Sequence, residues 1–248
     1  MKPFTVITPT GDRPEAFAIC TELMKKQTIK PVQWLVIDDG KEPMTMPDLP
    51  FVEYIHRARG KDEPSHTLPL QMRLALHRVQ TDYVVMMEDD DWYRADYFQE
   101  TVSRLQFSSL VGLVRNYYYF VRTAQYYQHQ NLQHSSWCST AFTREWFNYV
   151  YTMPINNPYL DMRLWSLARQ NHFIRRSKTK PCLWYSETPI AIGVKQLPGR
   201  VGVTYDSNRR VLRRGMKEDK GGLWLKSKIG DDFAMYKPYI GTEPCSQV

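Results

Sequence analysis

Three short apolar runs in the first half of the chain, Phe4–Thr8 (FTVIT), Gln33–Asp39 (QWLVIDD) and Tyr83–Met87 (YVVMM), each break off into polar or acidic residues. Between the first two, Arg13 to Lys26 carries Phe17, Cys20, Leu23 and Met24 at helical spacing, and before the third, His66 to Val79 carries Leu70, Leu74, Leu76 and Val79. A further short strand is predicted at Val52–Ile55. Unbroken apolar strands alternating with helices predict a parallel sheet covered on both faces, with right-handed crossovers. Ligands of such sheets bind beyond the carboxyl ends of the strands. Three polar segments are therefore predicted to converge: Thr8 to Asp12, Asp38 with Asp39, and Glu88 to Asp91.

The third segment is the most specific. VVMMEDDDWYRADYF sets Glu88, Asp89, Asp90 and Asp91 side by side at the end of a buried strand, where mutual repulsion is relieved only by a cation or by wide access to water. Mg²⁺ and Mn²⁺ prefer carboxylate and phosphate oxygens, so an acidic strand end facing a nucleotide-sized crevice suits them. A solvated acidic turn is the plainer alternative.

The second half has another texture. Leu110–Val121 and Gln125–Gln130 read as paired strands rich in tyrosine, and Thr143–Tyr151 and Tyr159–Gln170 read as helices. The length of 248 residues suits one large α/β domain, divided here into a nucleotide-binding half (1–98), an acceptor half (99–205) and a basic arm (206–248). Charge is uneven. Lys195 to Gly230 holds ten Lys/Arg against three acids, a net +7 equal to that of the whole chain, so a polyanion such as DNA is expected to meet the C-terminal third. A solvated basic helix is the alternative. Cys20, Cys138, Cys182 and Cys245 form no metal-ligand spacing, and the six histidines form none either. With no long apolar run and no signal-peptide layout, a cytoplasmic protein without a membrane span is expected.

MMEDDDWYRADYF resembles the acidic motif of the GT-A glycosyltransferases, particularly those similar to family 2. The resemblance implies an α/β GT-A fold and transfer of a sugar from a nucleotide-sugar donor, a UDP-sugar foremost, with Mn²⁺ or Mg²⁺. Both ways of aligning the motif put Asp90 on the metal-binding acid. Asp89 then faces the ribose or donor sugar, while Glu88 and Asp91 are direct ligands, water-mediated ligands or structural. TVITPTGDRPE is similar to the family's first strand and nucleotide loop, which carries donor contacts onto Thr8, Pro9, Thr10 and Arg13. WLVIDDG resembles the segment whose acid reads the nucleobase, here Asp38 or Asp39, and Arg73 stands where the family has an arginine one helix before the acidic motif. NNPYLDMRLWSLARQ is similar to the helix start that bears the general base of inverting members, leaving Asp161 for that role; a helix N-terminal acid is the alternative. In VKQLPGR, similar to a Lys-x-x-Pro-Gly-Arg stretch of some phage and bacterial relatives, Lys195 and Arg200 become candidates for the diphosphate. No histidine follows His172, so a metal-completing histidine is missing, with Asp206 or water in its place.

The charge distribution makes a 5-hydroxymethylpyrimidine base in DNA the favoured acceptor, flipped from the stack to reach Asp161. A surface glycan or lipid-linked precursor is the rival. Other classes are a nucleotidyltransferase, which TPTGDRPE with its one glycine does not favour, and a non-catalytic DNA-binding module, which four clustered carboxylates oppose. Tyr117 to Tyr119 and Trp137 are candidates for the acceptor cleft, with core packing as the alternative.

Overall fold

The protein is described here by a computed structural model that covers residues 1–170, 179–200 and 215–242. Its centre is a seven-stranded sheet in the order β10-β6-β9-β4-β1-β2-β3. The strands are β1 (Phe4–Thr10), β2 (Gln33–Asp38), β3 (Val52–His56), β4 (Tyr83–Met86), β6 (Leu110–Leu113), β9 (Thr140–Thr143) and β10 (Cys182–Trp184). β1, β2, β3 and β4 pair in parallel, as the helix-strand alternation predicts, and the sheet is mixed only because β9 enters antiparallel between β4 and β6.

Both faces of the sheet are covered, and the period of two along each strand decides which residue serves which face. Val6, Val36 and Val85 pack with Phe17, Cys20 and Leu23 of α1 (Pro14–Lys26) and with Phe98 and Val102 of α3 (Tyr97–Leu105). Ile7, Leu35, Ile37, Val84 and Met86 face the other way, onto Met72 and Ala75 of α2 (Leu68–Leu76) and Leu164 and Trp165 of α5 (Leu160–Ala168). Each large apolar side chain buried in this way contributes roughly 1.5–3 kcal/mol.

Leu110–Val121 is not one strand. It splits at Arg115, whose φ of 57° turns the chain, into β6 of the large sheet and β7 (Tyr117–Phe120) of a second sheet. That five-stranded sheet, ordered β12-β8-β7-β11-β5, contains the tyrosine-rich β7/β8 hairpin (β8, Gln125–Gln128), β11 (Ala191–Lys195), and the short β5 (Trp92–Tyr93) and β12 (Lys217–Glu218). Of Thr143–Tyr151, only Phe147–Tyr151 (α4) is α-helical, after a 3-10 turn at Arg144–Trp146. The C-terminal segment docks on the body: α6 (Leu223–Ile229) and α7 (Phe233–Tyr236) bury Leu225, Ile229 and Tyr236, and Trp224 stacks on Tyr126 with ring centroids 3.8 Å apart. Tyr205, Asp206 and the arginines at 209, 210, 213 and 214 lie outside the described residues.

Candidate active site

The crevice opens where two strands part. β1 pairs with β2 as far as Thr10 opposite Asp38, but with β4 only as far as Ile7 opposite Met86. Pro9, which has no N–H to donate, lies beyond the last β1–β4 pair, so it interrupts no ladder on that side. A cavity of about 230 Å³ lies at this end of the sheet. It gathers Pro9, Thr10, Arg13, Glu88, Asp90, Lys195 and Arg200, and it also takes in Asp161. Residues predicted from segments far apart in sequence thus line one space.

The acidic turn after β4 is held from several sides. Tyr93 accepts from the Glu88 N–H at 2.8 Å and donates to the Cys138 carbonyl at 3.0 Å, which fixes the turn against the loop before β9. Pairing of β5 with β11 then brings Lys195 alongside, and the Val194 N–H donates to Asp91 Oδ1 at 2.8 Å. Asp89 is buried and receives Thr10 Oγ1 at 2.7 Å, Arg13 Nε at 3.1 Å and a second bond from Arg13 Nη2. Asp90 is bracketed by two cations, Arg13 Nη1 on Oδ2 at 3.1 Å and Lys195 Nζ on Oδ1 at 3.2 Å. The same ammonium lies 2.8 Å from Asp91 Oδ1 and 3.7 Å from Glu88 Oε2.

Burial and charge pull these groups in opposite directions. Burial outweighs Lys195 at Glu88, with Asp91 and Asp90 adding to it, and pushes that carboxyl well up; burial likewise carries Asp91 to about 6. At Asp90 burial also raises, but Lys195 and Arg13 together prevail and hold its pKa below the ordinary value. Lys195 loses solvation too, yet Asp90, Asp91 and Glu88 keep its pKa well above that of a free lysine. Asp161, on the first turn of α5, is raised mainly by burial, the Met162 N–H on its Oδ1 at 2.8 Å working against that. A carboxylate of raised basicity suits proton abstraction.

Asp38 and Asp39, at the end of β2, are fully buried and do not line the cavity. Asp38 accepts from Tyr54 at 2.6 Å and from the Gly40 N–H at 2.8 Å. Asp39 Oδ2 accepts from Thr67 Oγ1 and from Arg57 Nη2 at 3.4 Å, and Arg200 Nη2 forms an ion pair with Oδ1 at 2.6 Å. Arg200 reaches Asp39 because Gly199 takes a φ of 97°, folding the Pro-Gly-Arg turn onto the nucleotide loop so that the Arg200 N–H donates to Asp12 O at 3.2 Å. A Cβ at Gly199 would lie 2.3 Å from that carbonyl, and one at Gly11 would lie 2.4 Å from Asp39 Oδ1.

Of the other predicted donor residues, Asp89, Thr8 and Arg73 also stand back from the cavity. Thr8 is buried and accepts from the Trp34 indole at 2.9 Å. Arg73 donates to the carbonyls of Tyr151 and Met153 at 2.8 and 2.7 Å, tying α2 to the end of α4. Tyr118 and Trp137 do line the cavity, whereas Tyr119 is fully buried. Gln71 and Cys138, which the sequence reading did not single out, also line it. Gln71 was detectable as a polar residue amid the apolar LPLQMRLAL. It donates to the carbonyls of Thr10 and Ile37 at 2.7 and 3.0 Å and so clamps the ends of β1 and β2.

The glycosyl transferase family 2 profile matches residues 5–180. The chain belongs to glycosyl transferase family 2. S. aureus TarS (residues 1–349) in complex with UDP-GlcNAc shares the fold at a TM-score of 0.52 and 12% identity, covering 80% of this chain and 60% of that one. Rv0371c of Mycobacterium tuberculosis, also solved with manganese, is similar over 84% of this chain and 96% of its own at 12% identity and a TM-score of 0.47. No curated protein matches the chain. The family match, the parallel strands β1 to β4 and the crevice at their carboxyl ends together make this a GT-A glycosyltransferase.

Family 2 enzymes use nucleotide-sugar donors and often a divalent metal. A metal on Asp90 does not fit the arrangement seen here, because both Asp90 oxygens already face cations within 3.2 Å. Two unit charges 4 Å apart interact by about 4 kcal/mol at an effective dielectric of 20, and a doubly charged ion doubles the repulsion from each neighbour. Among the described residues, Glu88, Asp91 and Cys138 can bring ligand atoms within 4.8 Å of one another. Lys195 already contacts two of the three, and burial pushes the Cys138 thiol up, leaving it a protonated, soft group unsuited to Mg²⁺ or Mn²⁺.

Proposed function

We propose that the protein transfers a sugar from a UDP-sugar to an acceptor hydroxyl with inversion at the anomeric carbon. The observation that carries this reading is the single cavity lined by Arg13, Asp90, Lys195 and Arg200 together with Asp161, cations suited to a diphosphate and a carboxylate suited to a proton. The acceptor oxygen attacks the anomeric carbon and forms the new glycosidic bond. The bond from that carbon to the diphosphate oxygen breaks, its electron pair leaving with the diphosphate, and the acceptor proton passes to Asp161. Holding both reactants in one cavity supplies much of the rate. Lys195, Arg13 and Arg200 meet the charge that grows on the leaving group. Asp38 and Asp39 act one step back, by holding the loops that frame the nucleoside.

For the acceptor, the net +7 between Lys195 and Gly230 supports a hydroxyl carried by a polyanion, and a 5-hydroxymethylpyrimidine base in DNA supplies one. Lys195 and Arg200 line the cavity, so contact with the polyanion falls to the remaining basic residues. The test is turnover of a panel of nucleotide sugars on 5-hydroxymethylpyrimidine DNA, read by mass spectrometry of the digested nucleosides. A nucleoside heavier by one sugar, absent with Asp161→Asn, supports donor, acceptor and base together. Slow donor hydrolysis without a heavier nucleoside keeps the transferase and moves the acceptor to a glycan or lipid-linked hydroxyl.

A further inference from the structure

We propose that Lys195 is the resident cation of the acidic turn, standing with Arg13 in the place a divalent metal would take, so that the donor diphosphate binds without metal. For its ligand the inference rests on the donor reading above. The position of the ammonium does not.

Lys195 Nζ is surrounded by hard oxygen donors from three carboxylates, at 2.8, 3.2 and 3.7 Å. Charge-assisted N–H···O bonds run to about 2.7–2.9 Å, whereas Mg²⁺ draws its oxygens in to about 2.0–2.1 Å. The contact to Asp91 has the length of such a bond, those to Asp90 and Glu88 are longer, and none approaches a Mg²⁺–oxygen distance.

The lysine is built into this place. It ends β11, opposite Phe120 of β7, and its carbonyl accepts from the Val121 N–H at 3.1 Å. One residue earlier, the Val194 N–H is bonded to Asp91, so strand pairing and the acidic turn set the side-chain origin together. The side chain is 13% exposed, and the residue lines the cavity with Arg13 and Arg200. Three fixed positive side chains therefore border the space proposed for the diphosphate. A resident ammonium accounts for the occupied carboxylates.

The decisive experiment uses the unmodified protein. Binding of UDP is measured by calorimetry in EDTA and in excess Mn²⁺, and Mn²⁺ alone is titrated and followed by its EPR signal. The expected result is a UDP affinity that changes by less than about twofold between the two buffers, with free Mn²⁺ undiminished by the protein; a tenfold change corresponds to about 1.4 kcal/mol. Lys195→Met, matched in length and uncharged, is expected to weaken UDP binding in EDTA by about tenfold or more, to regain it with Mn²⁺, and to bind Mn²⁺ itself. Lys195→Arg keeps the charge and is expected to bind UDP in EDTA without taking up Mn²⁺. UDP binding by the unmodified protein that needs Mn²⁺, or tight uptake of Mn²⁺ alone, overturns the inference and leaves the transferase standing. Failure of UDP to bind in either buffer overturns the UDP-sugar reading and this inference with it.

Discussion

Two acidic strand ends flank β1, one after β2 and one after β4, and they are buried in different ways. Asp38 and Asp39 do not line the cavity and are paired with fixed groups: Tyr54 and a backbone N–H on one, Thr67, Arg57 and the Arg200 ion pair on the other. In the turn after β4, Asp89 is satisfied in the same manner by Arg13 and Thr10, but Glu88 and Asp90 line the cavity and share their cations. A carboxylate that is buried, paired and hydrogen-bonded fixes geometry, whereas one whose cations also face open space can exchange partners with a ligand. Motif and burial alone would rank the two acid pairs together. What separates them is which side of the ion pair meets the cavity.

The largest test of this contrast lies at another carboxylate of the cavity lining. Asp161→Asn is expected to lower kcat/KM by about 10²–10⁴, the usual worth of a general base, with UDP affinity unchanged. The intact enzyme should lose rate as pH falls through the pKa of Asp161, and because burial raises that pKa, the acid limb should lie above the ordinary aspartate range. An unchanged turnover in the Asn variant sinks the assignment. Next in size, Asp39→Asn removes the partner of Arg200 and Arg57 and is expected to cost about 3 kcal/mol of stability, measured by urea unfolding. If Asp39 also serves the donor only by holding the loop, UDP binding should recover in conditions that restore the fold.

Stability against pH separates two neighbouring acids of the turn after β4. Asp91 has a pKa raised to about 6 against 3.8 when unfolded, so the folded state holds its proton more tightly between those values. Its contribution is fully present below the unfolded value and is lost as pH rises through 6. Asp90, with a lowered pKa, works in the opposite direction and loses its contribution as pH falls. Asp91→Asn is thus expected to remove the part of the stability curve that declines between about pH 4 and 6. A curve of unchanged shape in that variant would show that folding does not shift the pKa of Asp91.

Much of this was legible in the sequence. The runs Phe4–Thr8, Gln33–Asp39 and Tyr83–Met87 became neighbouring parallel strands because unbroken apolar runs have few other places to go, and the crevice followed from their polar ends. β9 was not legible: TAFT is too short to carry a period, and its central place is set by Ala141 and Phe142 fitting between β4 and β6. The split of Leu110–Val121 was hidden because both halves are apolar or aromatic and the break falls on Arg115, not on a glycine or proline. The commitment of Lys195 to the acidic turn was invisible for another reason. It depends on β11 pairing with β5 and β7 across long sequence separations, so the sequence offered the lysine as a charge in a basic run and a diphosphate candidate, not as a partner of the acidic turn.

The smallest expected effect concerns Arg73, which its place in the sequence linked to the donor. Its guanidinium spans α2 to the chain after α4, donating to the carbonyls of Tyr151 and Met153, with the Tyr151 ring 5.7 Å away. These bonds are charge-assisted but partly open to solvent, so Arg73→Ala is expected to cost only about 1 kcal/mol. For a chain of this size that corresponds to a fall in Tm of about 2–4 °C. Turnover and UDP affinity should not move, because the cavity is closed off from Arg73 by the body of α2, whose Leu68 and Gln71 face the donor side. A tenfold loss of UDP affinity at unchanged Tm would return Arg73 to the donor site and would mean that α2 presents both of its faces to function; a lowered Tm with intact kinetics confines function to the side of the helix that clamps β1 and β2.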